Sequence, residues 1–194
     1  MALSIQELRR KAQVAREQKQ RIKEQNKVKG RFGELIVRNL FKSTGFEVLD
    51  ICQEWGTKKK WTVAEGKRPD FCITPLKPDG SDDGTPFIAD AKCHTIGDDG
   101  LFSIGKGEMN EYRATMQEWG AEQVFFCLVP ANDPTQMILV SDDEMHDDGR
   151  GSMVVDLGTL SGRSLPLSRA DYDLAISELA LEGFDVSLAP VYPA

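Results

Sequence analysis

Four residues stand out by type and spacing: Glu34, Asp70, Asp90 and Lys92. Asp70 follows Pro69 at the head of a predicted strand, PDFCIT (69–74). Asp90 lies near the end of another, PFIADAKC (86–93), with Lys92 two positions on. Alternate side chains on a strand share a face, so Asp90 and Lys92 are neighbours and Ala91 points the other way. The run before them is apolar, which places a carboxylate and an ammonium at the edge of a buried strand, where a charge without a partner is costly. Such a set suits a hard divalent cation. Magnesium takes oxygen ligands, usually one or two carboxylates with waters and phosphate oxygens. Asp70 and Asp90 can supply the carboxylates and the backbone carbonyl of Ala91 a third ligand. The cation would acidify a bound water and offset charge on a phosphorane-like transition state. Lys92 would orient that water or help remove its proton, and add positive charge beside the phosphate. Glu34 would hold a metal-bound water or a second metal. Each residue alone has a blander reading: a strand-entry aspartate, a surface ion pair worth little, a solvated helix glutamate.

The elements that must position these residues follow from periodicity. Residues 4–28 read as a helix, with Ser4 and Glu7 in capping-box spacing and Ile5, Leu8, Ala12, Ala15 and Ile22 at 3-4 spacing. Gly30 is expected to break or kink it. A second helix, 31–44, would carry Glu34, with Phe32, Leu35, Ile36, Leu40 and Phe41 on one face. The period then changes to that of strands: 46–55, a lysine turn at 56–60 with a return strand from 61, then 69–74, 86–93, 122–130, 136–141 and 153–157. Helices are expected at 108–119, along Met109, Tyr112, Met116 and Trp119, and at 168–182, capped by Ser168. Residues 97–107 and 142–152 read as loops, and 184–188 as a last strand or extended tail. The order implies an α/β fold with a mixed sheet covered by helices. Three regions are expected: a basic helical arm (1–30), a core (31–141) and a C-terminal extension packed on the core (142–194).

Asp70 after Pro69, followed by Asp90-Ala91-Lys92, resembles the motif of the PD-(D/E)xK nuclease superfamily, which includes restriction endonucleases, Holliday junction resolvases and repair nucleases. Gly33-Glu34 is similar to that superfamily's helix-borne glutamate. The resemblance covers about residues 30–130 and fixes no subfamily. The polar insertion KPDGSDDGT departs from it by lengthening one strand connection. The resemblance implies a restriction-endonuclease-like fold and a magnesium- or manganese-dependent nuclease hydrolysing phosphodiester bonds in DNA, an endonuclease in the first instance. Asp70, Asp90 and the Ala91 carbonyl would hold the metal, with Glu34 and Lys92 assisting. It also implies a homodimer as one arrangement, because many members cut each strand with one copy. The alternatives are a non-catalytic nucleic-acid- or protein-binding subunit on the same fold, as in phage, transposition or defence complexes, and an acidic protein that mimics nucleic acid.

Charge bears directly on a polyanionic substrate. The formal net charge is −7, which taken alone would repel one. Residues 1–31, however, hold ten basic and three acidic residues, a net of +7, leaving −14 on the other 163. Phosphate contacts are therefore expected to be local. They fall to Lys27, Lys29 and Arg31 on the arm, to Lys58, Lys59 and Lys60 between Trp55 and Trp61, and to Lys67 and Arg68 just before the motif, with Lys106 as a further contact. His94 and Gln117 are weaker candidates for substrate contact. The cysteines (Cys52, Cys72, Cys93, Cys127) show no C-x-x-C pairing and three lie in apolar runs, so free buried thiols and a reducing, cytoplasmic setting are expected. The start MALSIQELRRKAQ lacks a signal peptide's apolar stretch, and no run of about 18 apolar residues exists to span a membrane.

Overall fold

A computed structural model describes residues 5–51, 69–160 and 162–193. The first element is one unbroken helix, α1 (Ile5–Ser43), about 58 Å long at 1.5 Å per residue. The expected break at Gly30 does not occur. Glycine inside a helix costs about 0.5–1 kcal/mol relative to alanine, and the packing on either side outweighs it: Val28, Phe32, Leu35, Ile36, Val37 and Phe41 are all buried. The two halves of α1 differ in environment. Every side chain described between Gln6 and Lys23 is exposed, whereas those from Val28 onward meet the core.

The strands β1 (Phe46–Asp50), β2 (Phe71–Pro75) and β3 (Phe87–His94) form an antiparallel meander, with Phe46↔Pro75 and Phe71↔Ala89 marking the registers. The chain then crosses over through β4 (Leu101–Gly105) and helix α2 (Lys106–Trp119) to β5 (Val124–Pro130), which lies parallel to β3 from Ile88↔Val124 to His94↔Pro130. Antiparallel β6 (Gln136–Ser141) and β9 (Ser164–Pro166) complete a six-stranded sheet in the order β1-β2-β3-β5-β6-β9. A second, three-stranded sheet joins β4 to β8 (Ser152–Asp156) and β7 (His146–Asp147). Helix α3 (Arg169–Leu181) packs beside α1. The fold is α/β: a mixed sheet flanked by helices, in the restriction-endonuclease-like layout expected from the sequence. Among the described residues no helix is long and apolar enough to cross a membrane.

β5 explains why both faces of the sheet are covered. Val124, Phe126 and Leu128 pack with Met109 and Tyr112 of α2 and with the small sheet, while Cys127 and Val129 pack with α1 and α3. An almost continuous apolar run is the mark of such a two-sided strand. Applied to β3, the same alternation puts Ile88 on the α2 side and Ala89 on the α1 side. Asp90 and Lys92 continue the α2 side.

Three local expectations are corrected. The loop expected at 97–107 contains β4, whose Phe102 and Ile104 are buried between exposed neighbours; that alternation is hidden in the sequence by flanking Gly and Asp. The loop expected at 142–152 contains a 3-10 turn (Asp142–Glu144) and β7. Residues 186–188 form a 3-10 turn rather than a strand, because Asp185 accepts a hydrogen bond from the Ser187 N–H at 3.0 Å and turns the chain. In α3, Ala175 and Leu179 are buried but Leu174 and Leu181 face solvent. The Ser168 cap stands, with Ser168 and Asp171 satisfying each other's backbone N–H groups.

Two glycines of α1 make a paired test. A Cβ at Gly30 would meet nothing within 4 Å, whereas one at Gly33 would lie 3.1 Å from Cys93 Cβ. Gly33 therefore allows α1 to lie against β3 beside the motif. Gly30→Ala is expected to raise stability by about 0.5–1 kcal/mol, with Gly33→Ala falling short of that gain and Gly33→Val destabilising. Urea unfolding midpoints at constant m-value check the ranking.

Candidate active site

Asp90 is only 3 % exposed. Its Oδ2 lies 2.6 Å from Lys92 Nζ, the two standing side by side on β3 as strand alternation requires. Lys92 Nζ also donates to Tyr112 Oη at 3.1 Å and to Glu108 Oε1 at 3.2 Å. The Tyr112 hydroxyl is hydrogen-bonded in turn to Asp90. An ammonium has three donors, and all three are met here. Glu108 and Tyr112 come from the first turns of α2, four residues apart and hence on one helical face.

Asp70 stands one residue before β2, and the register beyond Phe71↔Ala89 brings it level with Asp90. Its Oδ2 accepts the Ala91 N–H at 2.8 Å, which fixes the carboxylate against β3. Burial pushes the Asp70 carboxyl well above its ordinary range, and the charges of Asp90 and Glu34 push it further; the Ala91 N–H and Lys92 oppose them. Burial alone would lower the Lys92 pKa, but the charges of Asp90 and Glu108 outweigh it and the ammonium is held. Tyr112 is kept protonated by burial and by Asp90.

Glu34 approaches from α1, near enough to act on Asp70 electrostatically. Its own carboxylate is held by Arg31 Nη1 at 2.7 Å. Arg31 also makes two hydrogen bonds to Glu182, at 2.7 and 2.6 Å. The Arg31 guanidinium is thus engaged inside the protein, linking Glu34 to the end of α3. Asn39 adds a second tie, donating to Glu178 at 2.8 Å.

The structure therefore brings Glu34, Asp70, Asp90 and Lys92 into one cluster and adds Glu108 and Tyr112, which sequence reading did not single out. Tyr112 was hidden within an apolar helical stripe, and its pairing with Glu108 at i, i+4 was the available signal. Lys27 is paired with Glu24 at 3.3 Å, and Lys29 is partly buried on the same helix. Lys106 is paired with Asp147 on β7. His94 is exposed, its ring 6.4 Å from that of Phe102, and Gln117 is exposed on α2. Cys72, Cys93 and Cys127 are free thiols, Cys127 fully buried. Ser4, Cys52, Trp55, Lys58, Lys59, Lys60, Trp61, Lys67 and Arg68 lie outside the described residues.

The donor set fits a hard divalent cation. Among the described residues no three Asp, Glu, His or Cys side chains form a ready cage. Two carboxylates and a backbone carbonyl, with waters completing the shell, is a set that magnesium accepts and that thiophilic metals do not favour.

The layered mixed sheet flanked by helices has a restriction-endonuclease-like α/β layout at the level of fold, and it brings Asp70 beside Asp90 and Lys92 of the adjacent strand. No family model and no curated protein matches the chain. Among solved structures it is similar to that of Hjc, a Holliday junction resolvase from the archaeal hyperthermophile Archaeoglobus fulgidus, with a TM-score of 0.47 and 10 % identity, covering 72 % of this chain and 94 % of that one.

Metal-free protein should report the crowding of the carboxylates. A carboxyl whose folded pKa is raised keeps its proton longer in the native state, so stability falls as pH rises from the ordinary carboxylate range through the raised value. Asp70→Asn preserves the acceptor for the Ala91 N–H and removes the charge. It is expected to raise the unfolding midpoint in EDTA at neutral pH and to flatten that decline. Lys92→Met, which leaves Asp90 buried without its cation, is expected to cost about 3–5 kcal/mol. Thermal and urea denaturation across pH checks both.

Proposed function

We propose that the protein is a metal-dependent nuclease that hydrolyses phosphodiester bonds in DNA as an endonuclease. The observation that supports this most is the convergence of Asp70, Asp90 and Lys92 from two adjacent strands, with the lysine 2.6 Å from the buried carboxylate. Asp70, Asp90 and the Ala91 carbonyl would hold magnesium, or manganese in its place. The cation supplies an acidified water and offsets charge on the reacting phosphate. The Ala91 N–H fixes the Asp70 carboxylate against β3. Lys92, an ammonium held by Asp90, Glu108 and Tyr112, acts by orienting the attacking water and placing positive charge at the phosphate. Of its partners Glu108 is the most exposed, with a side chain 34 % accessible, and is the contact that a substrate phosphate replaces. Glu34, held by Arg31, would hold a metal-bound water or a second metal.

Lys27 and Lys29 flank the site on α1 and contact the phosphate backbone. Lys58, Lys59, Lys60, Lys67 and Arg68 join them on the sequence reading alone. Cutting both strands of a duplex takes two sites, so a homodimer is the assembly this reading implies.

The test is cleavage of supercoiled plasmid and of branched and single-stranded DNA in magnesium or manganese. Asp70→Asn, Asp90→Asn and Lys92→Met are each expected to lower the rate by about 10²–10⁴-fold, with the fold intact by circular dichroism. Tyr112→Phe is expected to retain more activity than Lys92→Met. Cleavage in EDTA, or full activity in Asp90→Asn, would overturn the reading.

A further inference from the structure

The exposed half of α1 is a long charged surface that the site does not use. Arg10, Lys11, Arg16, Lys19, Arg21 and Lys23 lie within it, and Glu17 is the one acidic residue between positions 10 and 23. All six basic side chains are exposed. Glu17 accepts a hydrogen bond from Gln13, and Glu24 is shared by Gln20 and Lys27. Among the described residues none of the six basic side chains forms a salt bridge. The rest of the chain carries the compensating negative charge, yet this half of the helix stands off it.

The distribution of the cations selects the partner. At 3.6 residues per turn Arg10 and Arg21 share one side of the helix and Lys19 faces the opposite side. Arg16 and Lys23 lie on one flank and Lys11 on the other. A helix resting on an acidic protein surface needs cations on one face. A helix lying in a groove is bordered by anions on both walls and benefits from cations all round. The B-DNA major groove is about 12 Å wide, admits one α-helix and is walled by phosphates. The A-form RNA major groove is too deep and narrow. A second copy of the chain is disfavoured because the 3-4 stripe on this segment is thin, with alanine at positions 12 and 15, and is interrupted by Lys19.

We propose that residues 10–23 of α1 are a duplex-DNA-binding arm that lies in the major groove and grips the phosphates on both sides, holding the substrate of the site described above. The segment spans about 21 Å. Its cations act as point charges on phosphates, so the contact carries little sequence preference.

The proposal builds on the nuclease reading, and the test keeps the two apart by measuring binding without cleavage. Fluorescence anisotropy with a labelled 30-base-pair duplex in EDTA compares the full chain with a variant carrying Arg10→Gln, Lys11→Gln, Arg16→Gln, Lys19→Gln, Arg21→Gln and Lys23→Gln. Each phosphate contact removed should reduce the slope of log K against log salt by about 0.9. A change of about 2 to 5 is expected, with at least a tenfold loss of affinity at the lower salt. Arg10→Lys, Arg16→Lys and Arg21→Lys together should keep the slope. Circular dichroism confirms that the glutamine variant remains helical. An unchanged slope in the glutamine variant overturns the proposal. So does equally tight binding of duplex RNA, or an effect confined to self-association in sedimentation. Inactivity of the parent on DNA with the binding intact would sink the nuclease reading and leave the arm standing.

Discussion

The structure around the site depends on pairing one buried carboxylate with a cation. Asp90 is almost wholly removed from water, and burying such a group is costly without a cation and good hydrogen bonds around it. Lys92 supplies the cation from the same strand face, and Tyr112 supplies a hydroxyl from α2. This requirement explains why β3 and α2 meet where they do. It also explains why the aromatic packing of Tyr112 against Phe126, with centroids 5.2 Å apart, ends in a polar tip. The apolar body of the tyrosine belongs to the core and its oxygen to the charged cluster.

Asp70 adds a second carboxylate to a place already occupied by one. For stability alone this is unfavourable, since the two repel and neither is well solvated. The backbone nonetheless fixes Asp70 there through the Ala91 N–H, and Glu34 is brought near by a helix that packs closely on β3 at Gly33. Local instability held in place by the surrounding fold is a common property of binding and catalytic sites.

Much of this was legible in the residues. Strand alternation alone made Asp90 and Lys92 neighbours, and the apolar run before them signalled the burial that makes their pairing matter. The long apolar run of β5 announced a strand covered on both faces. Three things were not legible, each for a physical reason. A glycine in mid-helix is a weak local signal, and tertiary packing of Val28, Phe32 and Leu35 overrode it. β4 is only five residues long and its alternation is lost among glycines and aspartates until its partner, β8, is known. Glu108 and Tyr112 look like an ordinary helical surface and an ordinary core stripe, because their role depends on Lys92 arriving from a distant part of the chain.

The unbroken course of α1 means that Glu34 and the exposed cations near its start belong to one rigid body. The azimuth of every side chain along that rod is set by helical phase, so the outer half and the carboxylate are clocked to each other. One residue inserted between Lys23 and Val28 would turn the outer half by about 100°, while seven would restore its direction to within about 20° and displace it by about 10 Å. The protein therefore carries a built-in protractor and ruler, in which angle and reach at one end of the helix are read against the position of the carboxylates at the other.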